Sequence, residues 1–295
     1  MKLVPGGKIA EKIKARLKQD IAANNLIKKL VIIYAGENEA SQIYVDKKTL
    51  WAKEIGVETE VIRLLQTNTD ELLEITDKLN SAKDVSGYII QLPLPKGIDS
   101  KRVLANISTR KDVDGLSPMS LGNLYHDIQG GFTSATALAV VEVLKYIANY
   151  ADDQKYTVDE LTQEDDEILT NFLEGKKVLV INHSILVGKP LAALLLRYKA
   201  TVTIAHKSTQ PQDLEKLIGN SEIVVSATGQ SGLINSTMVH DGQILVDVGI
   251  NKSALKIGGD IDPEVMQGKD IWLTPVPNGV GPITVVKLLE NVICS

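Results

Sequence analysis

Short apolar runs rich in valine and isoleucine alternate along this chain with longer segments whose apolar residues recur at helical spacing, and that alternation leaves few folds open. Between Lys8 and Leu26 the residues Ile9, Ile13, Leu17 and Ile21 fall at helical spacing, and Leu30 to Tyr34 then reads as a buried strand. A helix over Ser41 to Ile55, a strand over Glu58 to Leu64, a helix over Thr69 to Ser81 and a strand over Ser86 to Gln91 continue the rhythm. A second series starts at Lys177 to Ile181, with a helix from about Lys189 to Tyr198 and strands at Ala200 to Ile204, Glu222 to Ser226 and Gln243 to Val248. Such alternation implies an α/β fold with mostly parallel sheets, in which ligands lie beyond the carboxyl ends of the strands. With 295 residues the chain is long enough for two domains, each burying its own core.

Composition excludes several classes. Apolar residues make up 44% and charged residues 23%, the balance of a globular protein. A net charge of −5 with 4% aromatics argues against a nucleic-acid partner, which wants a basic face and stacking rings. Cys294 is the single cysteine, so no disulfide framework can form within the chain, and no His/Cys cluster has metal spacing. The first residues, Met1 to Lys8, lack the apolar core of a signal peptide, and no run approaches the roughly 18 residues of a membrane span. These features lead us to expect a cytoplasmic protein with no membrane partner. The acidic stretch Asp152 to Glu167 reads as a solvated insertion with a possible short helix.

Several segments carry candidate chemistry. On the helix over Ser41 to Ile55, Tyr44 and Lys48 are four apart and share a face. A lysine partly buried beside a phenol and an amide exchanges a proton near neutral pH; the alternative is a solvated Lys47/Lys48 pair. Gln91-Leu92-Pro93-Leu94-Pro95 ends a strand on a polar side chain whose amide either meets a ligand or caps the turn. Lys111-Asp112-Val113-Asp114-Gly115 puts two carboxylates in a turn, either facing bidentate donors or forming an Asx-turn with Gly115 at positive φ.

Asn182-His183-Ser184 to Val187-Gly188-Lys189-Pro190 joins a strand to a helix where a dinucleotide's phosphates meet helix N-terminal amides. At the end of the next strand, His206-Lys207-Ser208 stands where an acidic residue would read an NAD ribose; a lysine and hydroxyls suit a 2′-phosphate, unless the segment is an exposed basic turn. Thr228-Gly229 and Asp247-Val248-Gly249-Ile250-Asn251 end later strands and are candidates for the nicotinamide side. The four histidines, His126, His183, His206 and His240, are scattered and read first as surface or capping groups. Finally, three prolines and two glycines between Thr274 and Pro282 precede an apolar helix and build a stiff, narrow backbone surface.

Taken in order, these segments resemble the methylenetetrahydrofolate dehydrogenase/cyclohydrolase family over nearly the whole chain. The resemblance implies a folate-binding catalytic domain (1–140 with 280–295) and a Rossmann-like NAD(P)-binding domain (141–279, with the acidic insertion at about 151–170). A cleft between them and a C-terminal helix returning to the first domain are also implied. The implied reaction is NADP-dependent oxidation of 5,10-methylenetetrahydrofolate, with NAD as the other possible cofactor, followed by hydrolysis to 10-formyltetrahydrofolate; a homodimer is expected. The catalytic set implied is Lys48, with Gln91 tuning it, Tyr44 at the folate, and Asp112 and Asp114 linked with the pterin. Leu92, Pro93, Pro277, Gly279, Gly281 and Pro282 would complete the substrate wall. Asn182, His183, Ser184, Val187, Gly188, Lys189, Pro190, His206, Lys207, Ser208, Thr228, Gly229, Gly249, Ile250 and Thr284 would hold the cofactor.

The chain departs from the family pattern in four places. Phe132 to Ala137 lacks the usual prolines and glycine, and Asn182-His183-Ser184 replaces Gly-Arg-Ser and so drops a permanent cation, leaving Lys207 as the main support for NADP. Asn278 stands for a glycine, tolerable because asparagine accepts left-handed angles. The acidic stretch has no counterpart role in the family. An enzyme with one of the two activities, and a noncatalytic folate- or nucleotide-binding protein, stay open as alternatives. A shikimate-type dehydrogenase would leave the KDVDG segment and the proline-rich loops unexplained.

Overall fold

The computed structural model describes residues 1–151, 163–252 and 257–295, so the acidic stretch lies outside the described residues up to Thr162. In chain order the elements are β1 (Lys2–Leu3), α1 (Gly6–Asn24), β2 (Lys29–Ala35), α2 (Glu39–Ile55), β3 (Glu58–Leu64), α3 (Thr69–Ser81) and β4 (Gly87–Ile90). Then come α4 (Ser100–Ala105), α5 (Pro118–Tyr125), α6 (Ala135–Ala151), α7 (Gln163–Leu173), β5 (Lys177–Ile181), α8 (Gly188–Arg197) and β6 (Thr201–Ala205). The rest are α9 (Pro211–Gly219), β7 (Ile223–Ser226), β8 (Ile244–Asp247), β9 (Asn251–Lys252), β10 (Ile257–Gly258), β11 (Trp272–Leu273) and α10 (Val280–Cys294). Contacts divide the chain into two units: Met1–Lys12 with Thr136–Thr284, and Ile13–Ala135 with Val285–Ser295. Among the described residues, no helix is long and apolar enough to cross a membrane.

The unit that includes Ile13–Ala135 is built on a parallel sheet of order β3-β2-β4. Its middle strand pairs Ile32 with Val61 on one side and Ile89 on the other, and Leu30 to Ile33 are fully buried, which is why the run is apolar throughout. The edge strand β3 mixes exposed and partly covered positions instead. Local signals fix the crossover helices. The Asn38 side chain accepts from Ser41 N at 2.9 Å to start α2, and Gly56 stops it at φ 95°. Asn68 caps α3 in the same way, with Asp70 and Glu71 in its first turn. The chain leaves β2 for one neighbour and returns to the other side for β4, so the turns after β2 and β4 meet a topological switch point where α/β sheets bind ligands.

The second part of α10 belongs to this unit and ties it together. Asn291 is buried, and its Nδ2 donates to Val113 O at 2.8 Å and to Thr133 O at 3.0 Å. Arg16 of α1 bonds Glu290, which also pairs with Lys287.

The other unit carries a six-stranded sheet of order β1-β11-β8-β7-β5-β6, parallel at every pairing. Strands β7 and β8 are buried throughout, and the switch point falls at β5, between β7 and the edge strand β6. The first residues of the chain join this sheet: β1 pairs with β11, and Gly7 N donates to Asn278 O at 3.0 Å. A Cβ on Gly6 would stand 2.1 Å from Gly279 O, so the start of α1 lies directly on the proline-rich loop.

Replacing Asn291 by alanine removes the donor from two carbonyls inside the first-described unit. We expect a loss of about 1–3 kcal/mol in urea unfolding, and an unchanged midpoint would show that these carbonyls find other partners.

Candidate active site

Lys48 lies on the face of α2 turned inward, 8% exposed, and its Nζ donates to Gln91 Oε1 at 3.0 Å. Gln91 follows β4 directly; its Nε2 donates to Leu92 O at 3.0 Å, which orients the amide with its oxygen toward the lysine. A cis peptide joins Leu92 to Pro93. Burial pulls the Lys48 ammonium below the ordinary lysine range, and the Asp114 carboxylate opposes the shift. Tyr44, one turn earlier on α2, is half-buried, and burial raises its phenol. The solvated-lysine alternative is therefore not what the chain adopts at position 48.

The two KDVDG carboxylates divide their work. Asp112 is 1% exposed and spends both oxygens on protein donors: Leu116 N at 3.0 Å, Ser117 N at 2.8 Å and Ser120 Oγ at 2.7 Å. It caps the entry to α5, whose N-cap is Ser117 with Pro118 in the first turn. Asp114 is only partly covered. Burial pushes its carboxyl up to about 6, Lys48 opposes that rise, Asp112 adds to it, and a backbone bond from Ala135 lowers it again. Gly115, directly after Asp114, has φ 63°, and a Cβ there would meet Phe132 O at 2.5 Å and Ser134 N at 2.7 Å, so the turn sits directly against the 132–134 segment. Lys48, Gln91, Asp112, Asp114 and Tyr44 thus fall in one unit, with the first four linked by bonds or electrostatic contact.

The cofactor candidates lie in the other unit, together with Pro277, Gly279, Gly281 and Pro282 of the substrate set. Asn182 organises the loop after β5: its Oδ1 accepts from Ser184 N at 2.7 Å and Gly188 N at 3.1 Å, and its Nδ2 donates to Ala227 O at 2.5 Å. Val187 N donates to Ser184 Oγ and Lys189 N to Ser184 O. A Cβ on Gly188 would stand 2.0 Å from Asn182 O, which explains the glycine. Most amides expected to face phosphates are therefore committed within the loop, and Pro190 has none. The cations and hydroxyls around it still suit an anionic nucleotide. His183, Lys189, His206, Lys207 and Ser208 are exposed, and the rings of His183 and His206 stand 5.2 Å apart. Thr228, Gly229, Gly249 and Ile250 follow β7 and β8, as the sequence suggested. On the proline-rich loop, Val276-Pro277 is cis, Asn278 has φ 75°, and a Cβ on Gly279 would meet Pro275 O at 2.3 Å. Gly281, Pro282 and Thr284 lie in the opening turns of α10.

Two family models match the chain: the tetrahydrofolate dehydrogenase/cyclohydrolase catalytic domain over residues 4–114, and the NAD(P)-binding domain of the same family over residues 161–295. The chain belongs to the tetrahydrofolate dehydrogenase/cyclohydrolase family. It is 38% identical to the bifunctional protein FolD of Lactobacillus acidophilus, covering 97% of this chain and 92% of that protein. It is 37% identical to the Rickettsia rickettsii protein of the same name, with 99% and 95% covered. Its fold superimposes on the bifunctional FolD methylenetetrahydrofolate dehydrogenase/cyclohydrolase of Campylobacter jejuni with a TM-score of 0.86 at 36% identity, covering 100% and 98% of the two chains. The Trypanosoma brucei FolD, solved with NADP and an inhibitor, matches with a TM-score of 0.85 at 29% identity, covering 98% and 95%. The two-domain α/β architecture, with parallel sheets and separate catalytic and NAD(P)-binding domains, is that of this family.

One buried polar group beside the candidate cofactor turns escaped the sequence: Asp260, bonded to Ser226 and Thr228, follows a Gly-Gly pair that reads only as a turn. For Asp114, a folded-state carboxyl raised from 3.8 to about 6 stabilises the fold fully below 3.8 and loses that contribution as pH rises through 6. Asp114→Asn should remove a pH-dependent difference on the order of 2–3 kcal/mol between those limits. Denaturant unfolding of both proteins across that window checks it, and parallel pH curves would contradict it.

Proposed function

We propose that this chain oxidises 5,10-methylenetetrahydrofolate to the 5,10-methenyl form with NADP and hydrolyses that cation to 10-formyltetrahydrofolate. The observation that carries the proposal is the buried Lys48 amine held on the Gln91 amide oxygen, within a chain that also holds the NAD(P)-binding unit. Hydride transfer needs proximity and orientation above all, and a stiff loop such as Thr274 to Pro282 supplies a wall for flat rings. NADP, when bound, supplies the nicotinamide that accepts the hydride from the one-carbon bridge. The residues nominated to hold it are Asn182 to Pro190, His206 to Ser208, Thr228, Gly229, Gly249, Ile250 and Thr284.

The water step needs a base. Water adds to the methenyl carbon and gives up a proton; the bond from that carbon to N5 then breaks as N5 takes a proton and the new hydroxyl loses its own, leaving the formyl group on N10 with one proton released overall. A neutral Lys48 amine accepts and returns these protons, and its burial is what makes the neutral form accessible. Gln91 fixes the direction of the amine, Tyr44 lines the folate, and Asp114 adjusts the lysine's charge. Asp112, closed off by its own donors, acts through the turn that carries Asp114. Leu92, Pro93, Pro277, Gly279, Gly281 and Pro282 complete the substrate surface. We take the protein to work as a cytoplasmic homodimer, which light scattering on the purified protein would check.

Spectrophotometric assay with 5,10-methylenetetrahydrofolate and either NADP or NAD, followed by methenyl decay on the same sample, tests both halves. Lys48→Met should cut methenyl hydrolysis by about 100-fold or more while hydride transfer partly survives; two unchanged activities would remove Lys48 from the mechanism. Lys207→Ala should weaken NADP binding by roughly five- to tenfold and leave NAD binding unaltered, and equal effects on both would exclude a 2′-phosphate contact.

A further inference from the structure

The NAD(P)-binding unit holds a second pair of buried carboxylates that the reaction as assigned leaves unused. Asp247, the last residue of β8, is 1% exposed, and Asp260, after β10, is fully buried. Asp247 Oδ1 accepts from Gly249 N at 3.0 Å and Asp260 N at 3.1 Å, and its Oδ2 accepts from Ile261 N at 2.8 Å. Its own amide donates to Thr274 Oγ1 at 2.7 Å, at the head of the proline-rich loop. Asp260 Oδ2 accepts from Ser226 Oγ at 2.6 Å, Thr228 N at 2.8 Å and Thr228 Oγ1 at 2.9 Å.

The other oxygen of Asp260, Oδ1, is buried with no hydrogen-bond partner. It lies against Gly249, where a Cβ would stand 2.0 Å away; Gly259 is pressed against Asp247 Oδ2 at the same distance. Two glycines are therefore dictated by two carboxylates. A buried carboxylate is costly to keep, and an unsatisfied buried oxygen adds a further penalty. A neutral side chain would close these turns at less cost, so the pair is an expensive way to build a merely structural joint. What the joint connects is specific: the turn after β7 with Thr228 and Gly229, the turn after β8 with Gly249 and Ile250, and Thr274.

We infer that Asp260, braced by Asp247, is a positioning residue for hydride transfer: it holds the turns after β7 and β8 in the one arrangement that sets the nicotinamide ring against the folate carbon. The inference rests on the function proposed above and assigns Asp260 no contact with cofactor or substrate. The groups facing the pair are the two carboxylates themselves, the hydroxyls of Ser226, Thr228 and Thr274, and backbone amides. Burial, with the charge of Asp260 adding to it, pushes the Asp247 carboxyl up to about 7, so the frame gains or loses a proton near neutral pH.

Steady-state kinetics of Asp260→Asn and Asp260→Ala, with methenyl hydrolysis on the same samples, test this. Hydride-transfer kcat should fall roughly 10- to 100-fold while methenyl hydrolysis stays within about twofold, showing that the unit with Lys48 is intact. In Asp260→Asn the inflection of the dehydrogenase pH profile should move to lower pH, because Asp247 loses its like-charged neighbour. Should Asp260→Ala not fold, Asp260→Asn and Ser226→Ala carry the same readouts. Unaltered hydride transfer in the variants, or parallel loss of both activities, overturns the inference. A wild-type protein with no hydride transfer overturns the assigned function instead.

Discussion

Keeping an amine inside a protein on a neutral amide sets terms that the surrounding structure has to meet. Lys48 is held on Gln91, and the field of Asp114 partly offsets the cost of its burial. Each neighbour is fixed in turn: Gln91 by its bond to Leu92 O, Asp114 by the turn that Asp112 closes, and that turn by Gly115 and the 132–134 segment. Asn291 bonds the carbonyls of Val113 and Thr133 on either side of the same corner. A lysine allowed to reach water would stay charged and be useless as a base near neutral pH.

The two units solve related problems in different ways. In the unit with Lys48, Gln91 follows the carboxyl end of β4 and meets a lysine from α2, and in the NAD(P)-binding unit Ser226 and Asp247 end β7 and β8. In the unit with Lys48 the buried charges are of opposite sign and moderate each other. In the NAD(P)-binding unit two carboxyl groups are buried together, surrounded by amides and hydroxyls, with one oxygen left unmatched. Hydride transfer has no need of a base from the protein, so a rigid frame suits it, whereas the water step needs a group able to change its charge.

Much of this was legible in the sequence. β3 spans Glu58–Leu64 and α3 spans Thr69–Ser81 as periodicity and caps imply, and β5 matches likewise. The burial of Lys48 was not legible, because Lys47 and Lys48 together look like a solvated face. α6 is not among the helices read from the sequence: Ala135 to Tyr150 is apolar around most of its circumference, which leaves no amphipathic period, and it is mostly buried. β1 and β11 are two residues each, too short for any alternation, yet they bring the start of the chain into the second sheet. Asp260 was invisible because its partners, Ser226, Thr228 and the amides around Asp247, are distant in sequence. Asn278 does take the left-handed angle expected of it.

The most direct test of the account is the ionisation of Lys48 itself, followed by nitrogen NMR of the lysine amines across pH, with Lys48→Met to assign the signal. A Lys48 amine that titrates below the ordinary 10.5, and shifts further down when Asp114 is replaced by asparagine, is the result predicted. Titration at or above 10.5 would mean that the amine is solvated and charged, and that the protein does not use it as the base of the hydrolytic step.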